Sequence, residues 1–167
     1  SINTPATAAQ LAQLRRDLGL PTVLAQSAIA IPHTGTTSAT QLVSVTIPGG
    51  TLGPSGGYRI TLQTSETNNA NNKTLIVRMS GTPFYQAGDS SKTGRILQLM
   101  GWNRGAVGSQ LHGMTGVGSP WGGLGGTQVA TSFNTDADQT LQVLVTLANA
   151  ADTFTIEGYR VETWYGA

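Results

Sequence analysis

Eight carboxylates are available for acid–base work: Asp17, Glu66, Asp89, Asp136, Asp138, Asp152, Glu157 and Glu162. Glycoside hydrolysis needs two of them facing one cleft. Glu157 and Glu162 are separated by an odd number of residues, so a regular strand sends them to opposite faces. Asp136 and Asp138 sit in a Thr/Asp turn, a setting that aspartate favours, and two carboxylates fall short of the oxygen set a calcium or magnesium ion needs. His33 and His112 have no metal-ligand spacing. Gly53-Pro54-Ser55-Gly56-Gly57 reads as a turn, so Gly-x-Ser-x-Gly is absent as a nucleophile elbow. The glycines between positions 113 and 126 lack the Lys-Ser/Thr ending of a phosphate loop. No catalytic residue, metal ligand or cofactor is expected.

Residues suited to binding are easier to find. Sugar rings stack their apolar faces on aromatic planes, while amides and guanidiniums take the hydroxyls. Trp102-Asn103-Arg104 combines all three groups at a strand end. Trp121 stands among glycines, flanked by Pro120 and Gly122, with His112 opening the same stretch. A tryptophan with so few local neighbours either docks at a subunit interface or meets a ligand. Trp102 has its own second reading, as a core aromatic, since large rings usually bury. The glycan-binding candidates are therefore Trp102, Asn103, Arg104, His112 and Trp121.

These groups must be positioned by strands. From Thr22 onward the apolar period is two. Strands are expected over residues 23–31, 41–47, 58–65, 74–79, 83–86, 96–103, 127–133, 140–147 and 153–165, the last bent at Gly158. Tyr58, Ile60 and Leu62 alternate with Arg59, Thr61 and Gln63, the signature of a half-buried strand. Turns fall at Pro48-Gly49-Gly50 and at Asn68-Asn69-Ala70-Asn71-Asn72, the latter read as a solvated tip. The glycine-rich run from His112 to Thr127 reads as a long loop, and long loops in compact domains usually carry function. The expected fold is all-β: an antiparallel, jelly-roll-like β-sandwich over residues 21–167.

A helical neck precedes it, over residues 1–20. Thr4 is the expected N-cap and Pro5 the first helical residue. Thr4, Thr7, Leu11, Leu14 and Leu18 follow coiled-coil spacing for about two heptads. Gly19 and Pro21 end the helix. A helix this short is marginal alone, since isolated helices below roughly 12–15 residues barely form in water. Its leucines pack on sister helices or on the domain's own sheet.

Composition excludes several classes. Only 10% of the 167 residues are charged and the net charge is +1, so no field recruits nucleic acid. There is no cysteine, hence no disulfide and no thiolate chemistry. No apolar run approaches the roughly 20 residues of a membrane helix, so no membrane insertion is expected. The opening Ser1-Ile2-Asn3-Thr4-Pro5 lacks a signal peptide's basic start and apolar core, and reads as the start of an excised fragment.

Three strings carry a resemblance: residues 23–37 (VLAQSAIAIPHTGTT), residues 45–53 (VTIPGGTLG) and residues 67–78 (TNNANNKTLIVR), with the neck string AAQLAQLRRDLGL at 8–20. Over residues 8–80 the chain resembles the C-terminal domains of bacteriophage tail fibres and tailspikes. That resemblance implies a parallel homotrimer held by the neck, exposure on a virion after synthesis in the host cytoplasm, and either recognition of a bacterial surface polysaccharide or lipopolysaccharide or a purely stabilising role in a longer fibre. A glycan hydrolase with its site between subunits is a third, lesser expectation.

Overall fold

The protein is described by a computed structural model over residues 5–116 and 128–167. After helix α1 (Ala8–Asp17) come eleven strands: β1 (Thr22–Ser27), β2 (Ile31–His33), β3 (Thr40–Ile47), β4 (Gly57–Glu66), β5 (Lys73–Met79), β6 (Thr82–Asp89), β7 (Gly94–Asn103), β8 (Gln110–Gly116), β9 (Val129–Thr131), β10 (Gln139–Leu147) and β11 (Phe154–Trp164). One sheet runs β1-β11-β4-β7-β8-β9, with β2 also pairing β11; the other runs β3-β10-β5-β6. Every pairing among the described residues is antiparallel. Neighbours β5–β6, β7–β8 and β8–β9 pair within a sheet, while the chain changes sheet between β2 and β3, β3 and β4, β4 and β5, β6 and β7, β9 and β10, and β10 and β11. What stands of the jelly-roll-like expectation is this antiparallel two-sheet sandwich.

Alternation builds the core. Ile60, Leu62, Leu75, Val77, Leu99, Val143 and Val145 point between the sheets and are fully buried. Each such side chain contributes roughly 1.5–3 kcal/mol relative to exposure. Gly158 lies at a register shift in the β11–β4 ladder, at the place where the last strand was expected to bend. That shift has a consequence for the acids. Glu157 hydrogen-bonds Ser65 and Glu162 pairs with Arg59, so both reach outward-facing positions of β4 rather than opposite faces. Six residues of strand separate Ser65 and Arg59, about 20 Å, well beyond the 5–9.5 Å of a glycosidase pair.

Four other expectations change. Residues 23–31 form two short strands, not one. Residues 110–116, expected in part as loop, form β8 and continue the sheet beyond β7. The Asn-rich turn is exposed at Asn68, Ala70 and Asn72, as a solvated tip should be, but its half-buried Asn69 and Asn71 also close over a buried polar node. Lys73 is fully buried, and its Nζ donates to Asn69 Oδ1 (2.6 Å) and to the Asn71 carbonyl (2.9 Å) while lying 3.5 Å from Asp152 Oδ2. Asn69 Nδ2 donates to Asp152 Oδ1 at 2.7 Å, tying this turn to the β10–β11 turn. A buried ammonium requires such an anion beside it.

The helix is also shorter than expected. Thr4 lies outside the described residues, and the N-cap is Thr7, in a reciprocal capping box with Gln10. At the other end Gly19 has φ +62°, with Gly19 N–H donating to Arg16 O and Leu20 N–H to Arg15 O, a Schellman stop. No residue of α1 is buried, and Leu11, Leu14 and Leu18 are about half exposed. Between α1 and the sheet lies an open groove of ≈ 490 Å³, with Leu11 and Leu20 on one side and Leu24, Pro48 and Tyr165 on the other. The described chain therefore does not cover its own leucine stripe.

Candidate functional site

The outer face of the larger sheet ends in two tryptophans. β7 alternates inward Leu97, Leu99, Gly101 and Asn103 with outward Ile96, Gln98, Met100 and Trp102. Across the sheet, Trp164 of β11, Gly57 of β4, Trp102 of β7 and Leu111 of β8 fall in one row. Gly57 leaves a gap between the indoles. A Cβ there would sit 3.0 Å from Trp164 Cζ2 and 3.2 Å from Trp102 Cδ2. Without it the two rings meet edge to face, centroids 4.7 Å apart and planes at 61°. Trp102 remains 44% exposed, while Trp164 is half-buried and its Nε1 is enclosed without a partner. Trp102 is thus the accessible ring and Trp164 its backing, an exposed apolar step at the edge of a polar face.

The next outward row carries charge. Arg59 Nε and Nη2 both donate to Glu162 Oε2, at 2.9 and 2.5 Å. Arg160 Nη2 lies 2.7 Å from Glu162 Oε1. Glu162 is buried beneath the two guanidiniums, whose side chains are 36% and 50% exposed. Beyond Trp102, Arg104 is exposed at the start of the β7–β8 connection, and its side chain has no hydrogen-bond or ion-pair partner among the described residues.

Asn103 and His112 belong elsewhere, which corrects their place among the surface candidates. The period of two forbids Trp102, Asn103 and Arg104 from facing one ligand together. Asn103 turns inward, where its Nδ2 donates to Gly53 O (2.6 Å) and Thr135 Oγ1 (2.7 Å). Gln110 Nε2 donates to Asn103 Oδ1 (3.0 Å), Val107 O (2.8 Å) and Phe133 O (3.0 Å). This network fastens three connections at the end of the sandwich, and so fixes the backbone that aims Trp102 and Arg104.

His112 is 2% exposed and stacks on Phe84, ring centroids 4.5 Å apart. Its Nδ1 is 2.7 Å from Tyr58 Oη and its Nε2 is 2.6 Å from Thr131 Oγ1. Thr131 spends its own proton on Gln110 Oε1 (3.3 Å), so it accepts from His112 Nε2–H, and Tyr58 O–H donates to Nδ1. The imidazole is neutral, and burial lowers its pKa from 6.5 to about 4. Burial also raises the Tyr58 phenol well above its ordinary value. His33 faces Phe154, at the other end of β11 from Trp164. Trp121 lies outside the described residues.

Among the described residues no group of three or more His, Asp or Glu side chains is arranged to hold a metal ion. Ser55 of the Gly-x-Ser-x-Gly string is exposed in a turn that leads into β4, not into a helix, and its N–H donates to Gly166 O. Sequence reasoning weighed Glu162 only as a catalytic acid, and passed over Arg59, Arg160, Gly57 and the backing role of Trp164. Their shared parity on β4 and β11 was readable; the register that sets the two strands side by side was not.

No protein-family model matches the chain, and no curated protein matches it in sequence. Among solved structures, an insecticidal delta-endotoxin from Bacillus thuringiensis is similar at 12% identity and TM-score 0.41 over 80% of this chain, which spans only 19% of the toxin chain. The EclA C-terminal domain, a sugar-binding protein, is similar at 13% identity and TM-score 0.41 over 95% of this chain and 86% of its own. The CBM2 module of the evolved Dit of Lactobacillus casei BL23 phage J-1 is similar at 8% identity and TM-score 0.41, over 74% and 69%. Likenesses this distant say nothing of what this chain binds.

Proposed function

We propose that this chain is the glycan-binding tip domain of a homotrimeric bacteriophage tail fibre or tailspike. It binds a bacterial surface polysaccharide or lipopolysaccharide on the Trp102 platform, acts without catalysis, and serves outside the cell as part of a virion. The observation that carries the binding reading is a 44%-exposed tryptophan, braced by a second one, on a sheet face that mixes apolar Ile96 and Met100 with Gln98, Thr61, Gln63 and two guanidiniums. A contiguous apolar patch, rather than one exposed residue, marks an interaction site, and Trp102 adjoins Trp164, Leu111 and Met100 on this face. The resemblance of residues 8–80 to phage fibre tips supplies the class of partner.

Trimerisation is supported by α1. Its ten residues bury nothing in their own chain, yet Leu11, Leu14 and Leu18 repeat at coiled-coil spacing. The same stripe favours a second reading, a stabilising cap with no ligand of its own. Adsorption to lipopolysaccharide and capsular polysaccharide separates the two. Binding that Trp102→Ala reduces at least tenfold, about 1.4 kcal/mol, supports the first. Absence of binding by an intact trimer supports the second. New reducing ends on the polysaccharide would overturn the non-catalytic role.

A further inference from the structure

We propose that the Trp102 platform selects anionic saccharides, those bearing a carboxylate or phosphate, over neutral ones; this rests on the glycan-binding reading above. Arg59 and Arg160 share one carboxylate, Glu162, so the triad carries a net positive charge. The layering directs that charge outward: the carboxylate side chain is 5% exposed and the guanidiniums 36% and 50%. Neither arginine is used up. Arg59 holds Glu162 by its Nε/Nη2 edge and keeps the Nη1/Nη2 edge, and Arg160 uses Nη2 alone. A guanidinium edge with two spare N–H groups matches an oxyanion pair, which a neutral hydroxyl does not.

Position ties the charge to the platform. Along β11 the outward residues run Trp164, Glu162, Arg160, and along β4 Gly57, Arg59, Thr61. Same-face residues are spaced by about 7 Å, so the guanidiniums lie about 7 to 14 Å from the indoles, the span of a short oligosaccharide. Arg104 adds an exposed cation on the far side of Trp102. The other carboxylate of this face, Glu157, is tied to Ser65, about 20 Å along β4 from Arg59, so the positive excess belongs to the tryptophan end. A ring stacked on Trp102 would thus place its acidic substituent, or that of its neighbour, against a guanidinium.

The test uses an array of bacterial polysaccharides, each spotted native, carboxyl-reduced and dephosphorylated, probed with the full chain. Expected is binding to acidic glycans that falls at least tenfold after carboxyl reduction or dephosphorylation, whichever removes the charge, and that weakens with added salt. The two treatments tell a uronate from a phosphate. Arg160→Gln, which leaves the Arg59–Glu162 pair intact, is expected to weaken acidic glycans at least fivefold and leave neutral ones unchanged. Trp102→Ala weakens both. Retained binding after both treatments, or an Arg160→Gln variant with unchanged preference, overturns charge selection while the binding reading stands. No binding to any native glycan by a folded chain overturns the binding reading and this inference with it.

Discussion

Trp102 and Trp164 touch edge to face, 4.7 Å between ring centroids, across a strand whose residue between them is Gly57. The same device operates one residue along and on the opposite face. Gly101 lies between Tyr58 and His112 in the ladder, and a Cβ there would stand 2.7 Å from His112 Nδ1. One glycine lets two indoles meet outside, and the other lets a phenol and an imidazole meet inside.

Trp102→Ala separates binding from stability. The ring is nearly half exposed, so its removal is expected to cost about 1 kcal/mol, chiefly the aromatic pair. Denaturant melts should register that small loss beside a much larger loss of glycan adsorption. A variant that binds as well as the parent removes Trp102 from the site.

Gly101→Ala is expected to destabilise by about 1–3 kcal/mol, because the added methyl drives apart Tyr58 and His112 in a filled core. Thermal melting gives the measurement, with Gly105→Ala unsuited as a control because Gly105 has φ +72°. Gly108→Ala serves instead, since a Cβ there meets nothing within 4 Å.

His112 links stability to pH. Its pKa is depressed in the folded state, so the unfolded chain binds the extra proton between about 4 and 6.5. The contribution is full above pH 6.5 and is lost as pH falls toward 4, by roughly 2–3 kcal/mol. Urea melts from pH 7 to pH 4 should show a shallower decline in His112→Gln than in the parent. Equal slopes would mean that carboxylates alone drive the acid loss.

Lys73→Met is expected to lower the melting temperature far more than Lys92→Met. Lys73 is sealed between Asn69, Asn71 and Asp152, and its loss leaves the Asp152 carboxylate without its cation. Asp152 is held below the usual carboxylate range, first by the Asn69 hydrogen bond. Lys92 is exposed and, among the described residues, pairs with Asp89 alone, a contact water screens.

Leu14→Glu with Leu18→Glu tests the neck. Sedimentation of the parent is expected to give a trimer and that of the double variant a smaller species, with the β-sheet circular dichroism unchanged. A parent that sediments as a monomer at micromolar concentration rules the trimer out.

Residue type and period alone determined much of this protein. Alternation on Tyr58–Gln63 and on Leu141–Leu147 reveals half-buried strands because a pleat has only two faces. Gly19 and Pro21 mark the helix stop because a left-handed φ and a missing N–H leave little choice. Only the tertiary structure decided which strands are neighbours. Cross-strand register is set by packing between segments far apart in sequence, and no local pattern encodes it. That register placed Glu162 between Arg59 and Arg160, hid Asn103 and His112 behind the sheet, and buried Lys73, at the start of β5, beneath a turn that reads as solvated. It also set Trp164 behind Trp102, turning one aromatic residue into a braced surface.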